Sequence, residues 1–264
     1  MVVAETITSP ANTLLKEVRK ALAHGGRTPG GFCVAESFHL LDEALSSQCE
    51  VRAIIAAERT QTAVEARVQG LSGFRLVILP DKLFDTIAAT EATQGVLVLV
   101  RPPEWSFGEM LRRETPIVLL DGIQDPGNAG TILRTAEAFG AAGAIFLKGA
   151  VSPYNPKAVR AAAGSLFRLP FLDGMEVDKA LALLDDSHVP LYAAIPSGGT
   201  PLDKARLTGR WAFVVGSEGQ GVSRLLMERT IGLSIPTAGV ESLNAAVAAS
   251  VILYEAWRQR THLQ

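Results

Sequence analysis

Arg134, six residues after Asn128 in the stretch NAGTILR, is a side chain whose type suits anion chemistry. A guanidinium presents a planar fork of donors that matches phosphate oxygens. On a helix it lies about 200° from Ile132, whereas Ala136 and Phe139 fall close to Ile132, so it points away from the apolar stripe. A solvated surface arginine fits that position too. Further on, FVVGSEGQG (213–221) sets Glu218 inside a glycine-rich turn. No Lys-Ser/Thr pair follows, and the glycine spacing is not the dinucleotide fingerprint. Such a turn either serves backbone angles that side chains forbid or lets backbone amides approach a flat ring. In SIPTAGVESLNAAVA (234–248), Ser242 and Asn244 are polar groups that either take part in chemistry or cap and start a helix.

The elements that must hold these groups form an α/β pattern. Ile117 to Leu120, Ala144 to Leu147, Leu191 to Ile195, Ala212 to Val215 and Leu233 to Ile235 read as strands. Asn128 can cap a helix running to Phe139, Asn155 and Pro156 make an N-cap and N1 pair, and a final helix spans about Ser242 to Arg260. Leu243, Val247 and Val251 fall at i, i+4 and i+8 and suggest its buried stripe. Strands separated by helices predict a mostly parallel sheet, with ligands beyond the carboxyl ends of strands. Gly216 to Gly221 and Pro236 to Gly239 follow such ends.

Earlier in the chain, Phe32 to Ala35, Ala53 to Ala56, Leu76 to Leu79 and Val96 to Val100 read as buried strands, with helices at Phe38 to Leu45 and Lys82 to Ala89. The division expected is a small α/β/α domain over 1–104, a proline-bracketed linker over 105–115 and a second domain over 116–264.

With 48% hydrophobic and 20% charged residues in 264, the chain can bury a core. A net charge of −2 argues against indiscriminate coating of nucleic acid. Basic groups nevertheless cluster locally. Lys16, Arg19 and Lys20 share one helical face, and His24 and Arg27 follow; a solvated face or a phosphate-contacting edge fits them. No long apolar run and no basic-then-apolar start is present, so a cytoplasmic protein with no membrane association is expected. Cys33, Cys49, His24, His39, His188 and His262 form no metal-ligand spacing, and no metal is expected.

Taken together and in order, the three stretches closely resemble the signature motifs of the SpoU/TrmH family of RNA ribose methyltransferases. The resemblance implies a deep trefoil knot in the C-terminal domain, S-adenosylmethionine as cofactor, and methyl transfer to a ribose 2′-oxygen. It places Asn128 and Arg134 in the first motif, with the arginine in the catalytic role. Gly216, Glu218 and Gly219 match the second motif. Ile235, Pro236 and Leu243 match positions around the adenine, and Ser242 and Asn244 match the polar pair near the transferring methyl. Ile195 joins the cofactor set. One departure stands out: the stretch between Pro236 and Ser242 is a residue shorter than in many members, and Thr237 stands where methionine is common.

A guanidinium stays protonated in proteins, so Arg134 is assigned as phosphate clamp and hydroxyl polariser, with the base left open. Lys157 and Arg160, in YNPKAVRAAAGSLFRLP, match a segment facing the RNA, and Ser165 is a weaker candidate. Asn12 to Val100 resembles the RNA substrate-binding domain that precedes many members' catalytic domains, which favours large-subunit ribosomal RNA over tRNA. The family also implies a homodimer through the C-terminal domain. Two other functions fit less well. A catalytically silent RNA-binding or ribosome-assembly protein is opposed by the intact motif residues, and a base or small-molecule methyltransferase by the N-terminal domain.

Overall fold

The computed structural model describes residues 3–261; His262 lies outside them. In chain order the first elements are β1 (Ala4–Thr6), α1 (Thr13–Ala23), β2 (Cys33–Glu36), α2 (Phe38–Ser46), β3 (Glu50–Ala57), α3 (Gln61–Val68), β4 (Arg75–Leu79), α4 (Asp81–Asp85) and β5 (Val96–Arg101). Then come α5 (Phe107–Met110), β6 (Ile117–Asp121), α6 (Pro126–Ala138), β7 (Gly143–Leu147) and α7 (Pro156–Ala162). The last are β8 (Phe171–Met175), α8 (Val177–Asp186), β9 (Leu191–Ile195), β10 (Thr200–Pro201), β11 (Ala212–Gly216), α9 (Arg224–Met227), β12 (Ile231–Ser234) and α10 (Ala245–Thr261).

The chain packs as two units. One is built from the segments up to Pro103 plus Tyr154–Arg168; the other from Glu104–Pro153 and the chain from Leu169 onward. Residues 154–168, which the sequence pattern assigns to the second domain, thus pack with the first, where α7 lies on β2. The 105–115 stretch holds α5, opened by a capping box in which Glu109 accepts from the backbone N–H of Ser106 at 2.7 Å.

In the first unit, five strands run in the order β1-β4-β3-β5-β2. β1, β4 and β3 are parallel, while β5 is antiparallel to both β3 and β2. Leu15, Val18, Ile55, Val77, Phe84 and Leu99 fill its core; each such side chain contributes about 1.5–3 kcal/mol on burial. α4 is shorter than the Lys82 to Ala89 expected. Thr86 Oγ1 donates back to Leu83 O at 2.7 Å, and Ala89 N–H is taken by the buried Glu36 carboxylate at 2.7 Å, so the backbone finds partners outside a helix.

The second unit carries a seven-stranded sheet in the order β10-β12-β9-β11-β6-β7-β8, every pair of it parallel. Ile117, Leu119, Ile145, Ala193 and Val214 lie in its core. α6 begins earlier than expected: Asp125 is its N-cap, its carboxylate accepting from Asn128 N–H at 2.7 Å, with Pro126 at the first helical position. Asn128 is therefore inside the first turn, its side chain free for other work. α10 begins at Ala245, and its buried face is Ala246, Ala249, Ile252, Leu253 and Ala256. Val247, from the expected stripe, is 48% exposed.

Candidate functional site

In the second unit, a cavity of about 610 Å³ opens beyond the carboxyl ends of β9, β11 and β12. Ile195 ends β9 and Pro196 follows it, Gly216 ends β11 with Ser217, Glu218, Gln220 and Gly221 after it, and Ile235, Thr237 and Glu241 to Ala245 follow β12. Val215, Leu233, Ile235 and Leu243 make apolar wall, while Ser217, Glu218, Gln220, Thr237, Glu241, Ser242 and Asn244 bring polar groups. Apolar walls with a few converging polar groups, at this volume, suit a small-molecule ligand.

The glycine loop is shaped by close approach. A Cβ on Gly216 would come 2.0 Å from the carbonyl carbon of Gly221, because the loop folds back over its own start. Gly221 adopts φ 67°, the left-handed region that glycine accepts freely. Its N–H donates to Ser217 O at 2.9 Å, and Gln220 N–H donates to Ser217 Oγ at 3.2 Å.

Three distant segments meet at Asn128. Its Nδ2 donates to Glu218 Oε1, and its Oδ1 accepts from Asn244 Nδ2 at 3.1 Å. The Oδ1 of Asn244 meanwhile accepts from Ala246 N–H at 2.9 Å and Val247 N–H at 3.3 Å, capping α10. Because a carboxylate only accepts, Asn128 turns its NH₂ toward Glu218 and keeps its oxygen for Asn244. Asn244 thus caps α10 and lines the cavity at once.

Of the other residues singled out by sequence, Ile195, Gly216, Ile235, Ser242 and Leu243 line the cavity; Gly219 and Pro236 sit between lining residues without lining it. Arg134 is exposed on α6 and makes no hydrogen bond or ion pair among the described residues. Six residues beyond Asn128, it stands about 240° around the helix and about 9 Å along it. α6 packs on α10 through Thr135 and Ser250, whose hydroxyls are 3.1 Å apart, and Arg260 donates to Phe139 O at 2.7 Å. Sequence reasoning missed Ser217, Gln220, Thr237 and Glu241 as lining groups, although all four flank motif residues just past strand ends.

In the first unit, Lys16 and Lys20 are exposed on α1, but Arg19 is half-buried and donates to Pro10 O at 2.8 Å and Thr86 Oγ1 at 3.3 Å. Arg27 lies over the Tyr154 ring at 4.2 Å. Lys157 and Arg160 are exposed on α7, and Ser165 is buried. Burial pushes the Cys33 and Cys49 thiols up to about 12. Among the described residues, no group of three or more His, Cys, Asp or Glu could hold a metal ion, and no helix is long and apolar enough to cross a membrane.

The sequence model of the SpoU rRNA Methylase family matches residues 115–254, and that of the MRM3-like substrate binding domain matches residues 12–98. The chain is 31% identical over 250 residues to the 23S rRNA (guanosine(2553)-2′-O)-methyltransferase RlmP of Bacillus subtilis, covering 94% of this chain and 97% of that one. Among solved structures it is similar to the SpoU methyltransferase AviRb from Streptomyces viridochromogenes, at TM-score 0.84 and 27% identity, covering 96% of this chain and 99% of that one. It is similar also to the AdoMet-bound rRNA methyltransferase from Sinorhizobium meliloti, at TM-score 0.82 and 26% identity, covering 99% of each.

Proposed function

The chain belongs to the SpoU rRNA methylase family, and from that premise we propose that it methylates a ribose 2′-hydroxyl of large-subunit ribosomal RNA. It is an S-adenosylmethionine-dependent RNA methyltransferase. The observation that carries the reading is the junction at Asn128, which joins all three motif segments beside one cavity.

The cavity fits this cofactor. Its apolar walls suit the adenine, the glycine loop exposes backbone beside it, and Glu218 and Glu241 bring two carboxylates to the wall facing a cation. When bound, S-adenosylmethionine supplies an electrophilic methyl group on a sulfonium. Ile195, Gly216, Ile235 and Leu243 hold the nucleoside part, and Gly219 and Pro236 shape the loops that carry their neighbours. Asn128 and Asn244 keep Glu218 in one place, and Ser242 stands next to them on the wall. Arg134, with no partner among the described residues, clamps the phosphate beside the target ribose and polarises the 2′-hydroxyl, aligning the attacking oxygen.

A homodimer belongs to the same proposal. Val247, Tyr254 and Trp257 leave an exposed apolar face on α10, extended by Phe139, whose ring stands 5.6 Å from Tyr254. A second copy covers that face and brings Arg134 to a complete site. The family's trefoil knot is part of the reading as well; it is supported by β12, which inserts between β9 and β10 after β11 has been laid on the other side of β9.

For RNA, Lys16, Lys20, Arg27, Lys157 and Arg160 of the first unit supply phosphate contacts, with Arg19 fixing the helix they sit on. The substrate-binding-domain match over 12–98 favours ribosomal RNA over tRNA, and such a substrate puts the protein in the cytoplasm. The test is transfer of labelled methyl to bulk rRNA and tRNA, followed by nucleoside analysis. A 2′-O-methylated nucleoside in rRNA is expected. Label in tRNA alone overturns the substrate, and label on a base overturns the chemistry.

A further inference from the structure

Asp121 is one of the few charged side chains buried in the described chain, at 9% exposure, and it does not line the cavity. It ends β6. Its backbone stands in register with Gly216, the root of the glycine loop, and its Oδ2 accepts the N–H of Ser223, where the loop ends, at 2.7 Å. One residue therefore grips both ends of the loop from Gly216 to Ser223.

The loop needs such a grip. Three glycines, Gly216, Gly219 and Gly221, give it large conformational freedom to lose. Its internal bonds, from Gly221 and Gln220 to Ser217, tie it into a small ring, and Glu218 ties the tip to α6 through Asn128, but neither holds the return of the loop to the sheet. The sheet beneath is fixed without Asp121's side chain, because β6 and β11 pair through five register positions and pack apolar faces. A carboxylate bonded to a backbone N–H is a short, charge-assisted contact that acts on the loop alone.

We propose that Asp121 is a positioning residue whose carboxylate clamps the return of the Gly216–Ser223 loop, setting cofactor affinity and the place of Glu218 opposite Asn128. The inference rests on the assignment of the cavity to S-adenosylmethionine made above. Asp121 itself does not line the cavity; it acts through Ser223.

The test compares Asp121→Ala, Asp121→Asn, Ser223→Pro and the double variant Asp121→Ala/Ser223→Pro in the full chain. Ser223 has φ −60°, which proline adopts, so its substitution deletes the same donor from the other side and serves if the alanine variant fails to fold. Two quantities are read: the dissociation constant of S-adenosylmethionine by calorimetry, and hydrogen exchange of the cofactor-free protein. Asp121→Ala is expected to weaken cofactor binding by about tenfold, the scale of one missing charge-assisted bond. It also speeds exchange over 217–223 while β6 and β11 keep their protection. Asp121→Asn, which retains an accepting oxygen, recovers most of the affinity, and the double variant is no worse than either single one. Unchanged exchange and affinity in the alanine variant, additive losses in the double variant, or loss of protection throughout β6 and β11 overturns the clamp. If the wild-type protein binds no S-adenosylmethionine, the cofactor reading falls, and exchange over 217–223 still decides whether Asp121 holds the loop.

Discussion

The side-chain amide of Asn244 donates to Oδ1 of Asn128 at 3.1 Å, across 116 residues of chain. Each amide is oriented by its other end: Asn244 by the first turn of α10, Asn128 by Glu218. The consequence is directional. Neither amide can flip without setting a donor against a donor or an oxygen against an oxygen.

Asn128→Asp replaces the NH₂ that Glu218 accepts from with an oxygen, and two carboxylates then face each other. Under single-turnover conditions its methyl-transfer rate is expected to fall by about a hundredfold, more than the roughly tenfold expected for Asn128→Ala. Equal losses in the two variants would remove the directional argument.

Arg134 is exposed and unpaired among the described residues, so Arg134→Ala should leave the melting temperature within about 1 °C of wild type while lowering methyl transfer by about a hundredfold. Arg134→Lys keeps the charge and loses the fork, and is expected to fall between the two. Full activity of the alanine variant with cofactor and RNA saturating would end the clamp assignment.

Cys33 and Cys49 stay neutral in the folded chain up to about pH 12, chiefly because burial disfavours the thiolate, whereas an unfolded thiol ionises near 9.0. Their contribution to stability is complete below pH 9 and declines as pH rises toward 12, because only the unfolded state gains the charge. Alkylation at pH 8 should therefore be slow for the native protein and rapid in denaturant, and Cys33→Ala/Cys49→Ala should flatten the alkaline loss of stability. Rapid native alkylation of Cys33 would contradict its burial.

Trp257 is 39% exposed and its ring lies 5.9 Å from Tyr254 and 6.1 Å from Phe139. Trp257→Glu puts a charge on the face assigned to the second copy and is expected to weaken self-association by at least about thirtyfold, the scale of an aromatic anchor. Sedimentation across a concentration series checks this. A wild-type protein that stays monomeric at every concentration rules out the dimer.

Lys157 and Arg160 make no ion pair among the described residues that would tie them to the fold, and both project from α7. The pair of changes Lys157→Glu and Arg160→Glu should lower the salt dependence of RNA binding by about one unit of slope for each phosphate no longer neutralised, leaving cofactor affinity unchanged. A slope identical to wild type would place the RNA elsewhere.

Strands with uninterrupted β-branched and aliphatic runs, such as Val96–Arg101 and Ala212–Gly216, were legible because burial on both faces writes itself into composition. Asn155–Pro156 likewise announced α7 through local chemistry. β8 did not announce itself: Asp173 and Gly174 sit inside it, residues that strands generally avoid, and its register slips against β7. The start of α6 was misplaced because Asp125 and Asn128 are both good caps, and the proline after Asp125 decided between them. The stripe at Leu243, Val247 and Val251 has helical spacing but is not the buried face of α10; alanines there pack closely on α6, and periodicity alone weights a valine above an alanine. The cavity residues of the motifs are legible through their likeness to a family, while their neighbours Gln220 and Glu241 reach the wall only through the folding of the loops after β11 and β12.

Tyr154–Arg168 leaves the second unit's run of chain to pack with the first. On a translating ribosome, β2, an edge strand of its sheet, waits for α7 until β6, α6 and β7 have been made. A fragment ended at Pro103 keeps every strand of that sheet yet strips β2 of its covering helix, leaving an edge open to association. Isolating 104–264 produces the opposite defect, since Ala158, Val159, Leu166 and Phe167, buried in the whole chain, are cut off from the unit that covers them. No single scissile point divides this protein into two intact halves, so domain-swap chimeras must carry 154–168 with the N-terminal donor.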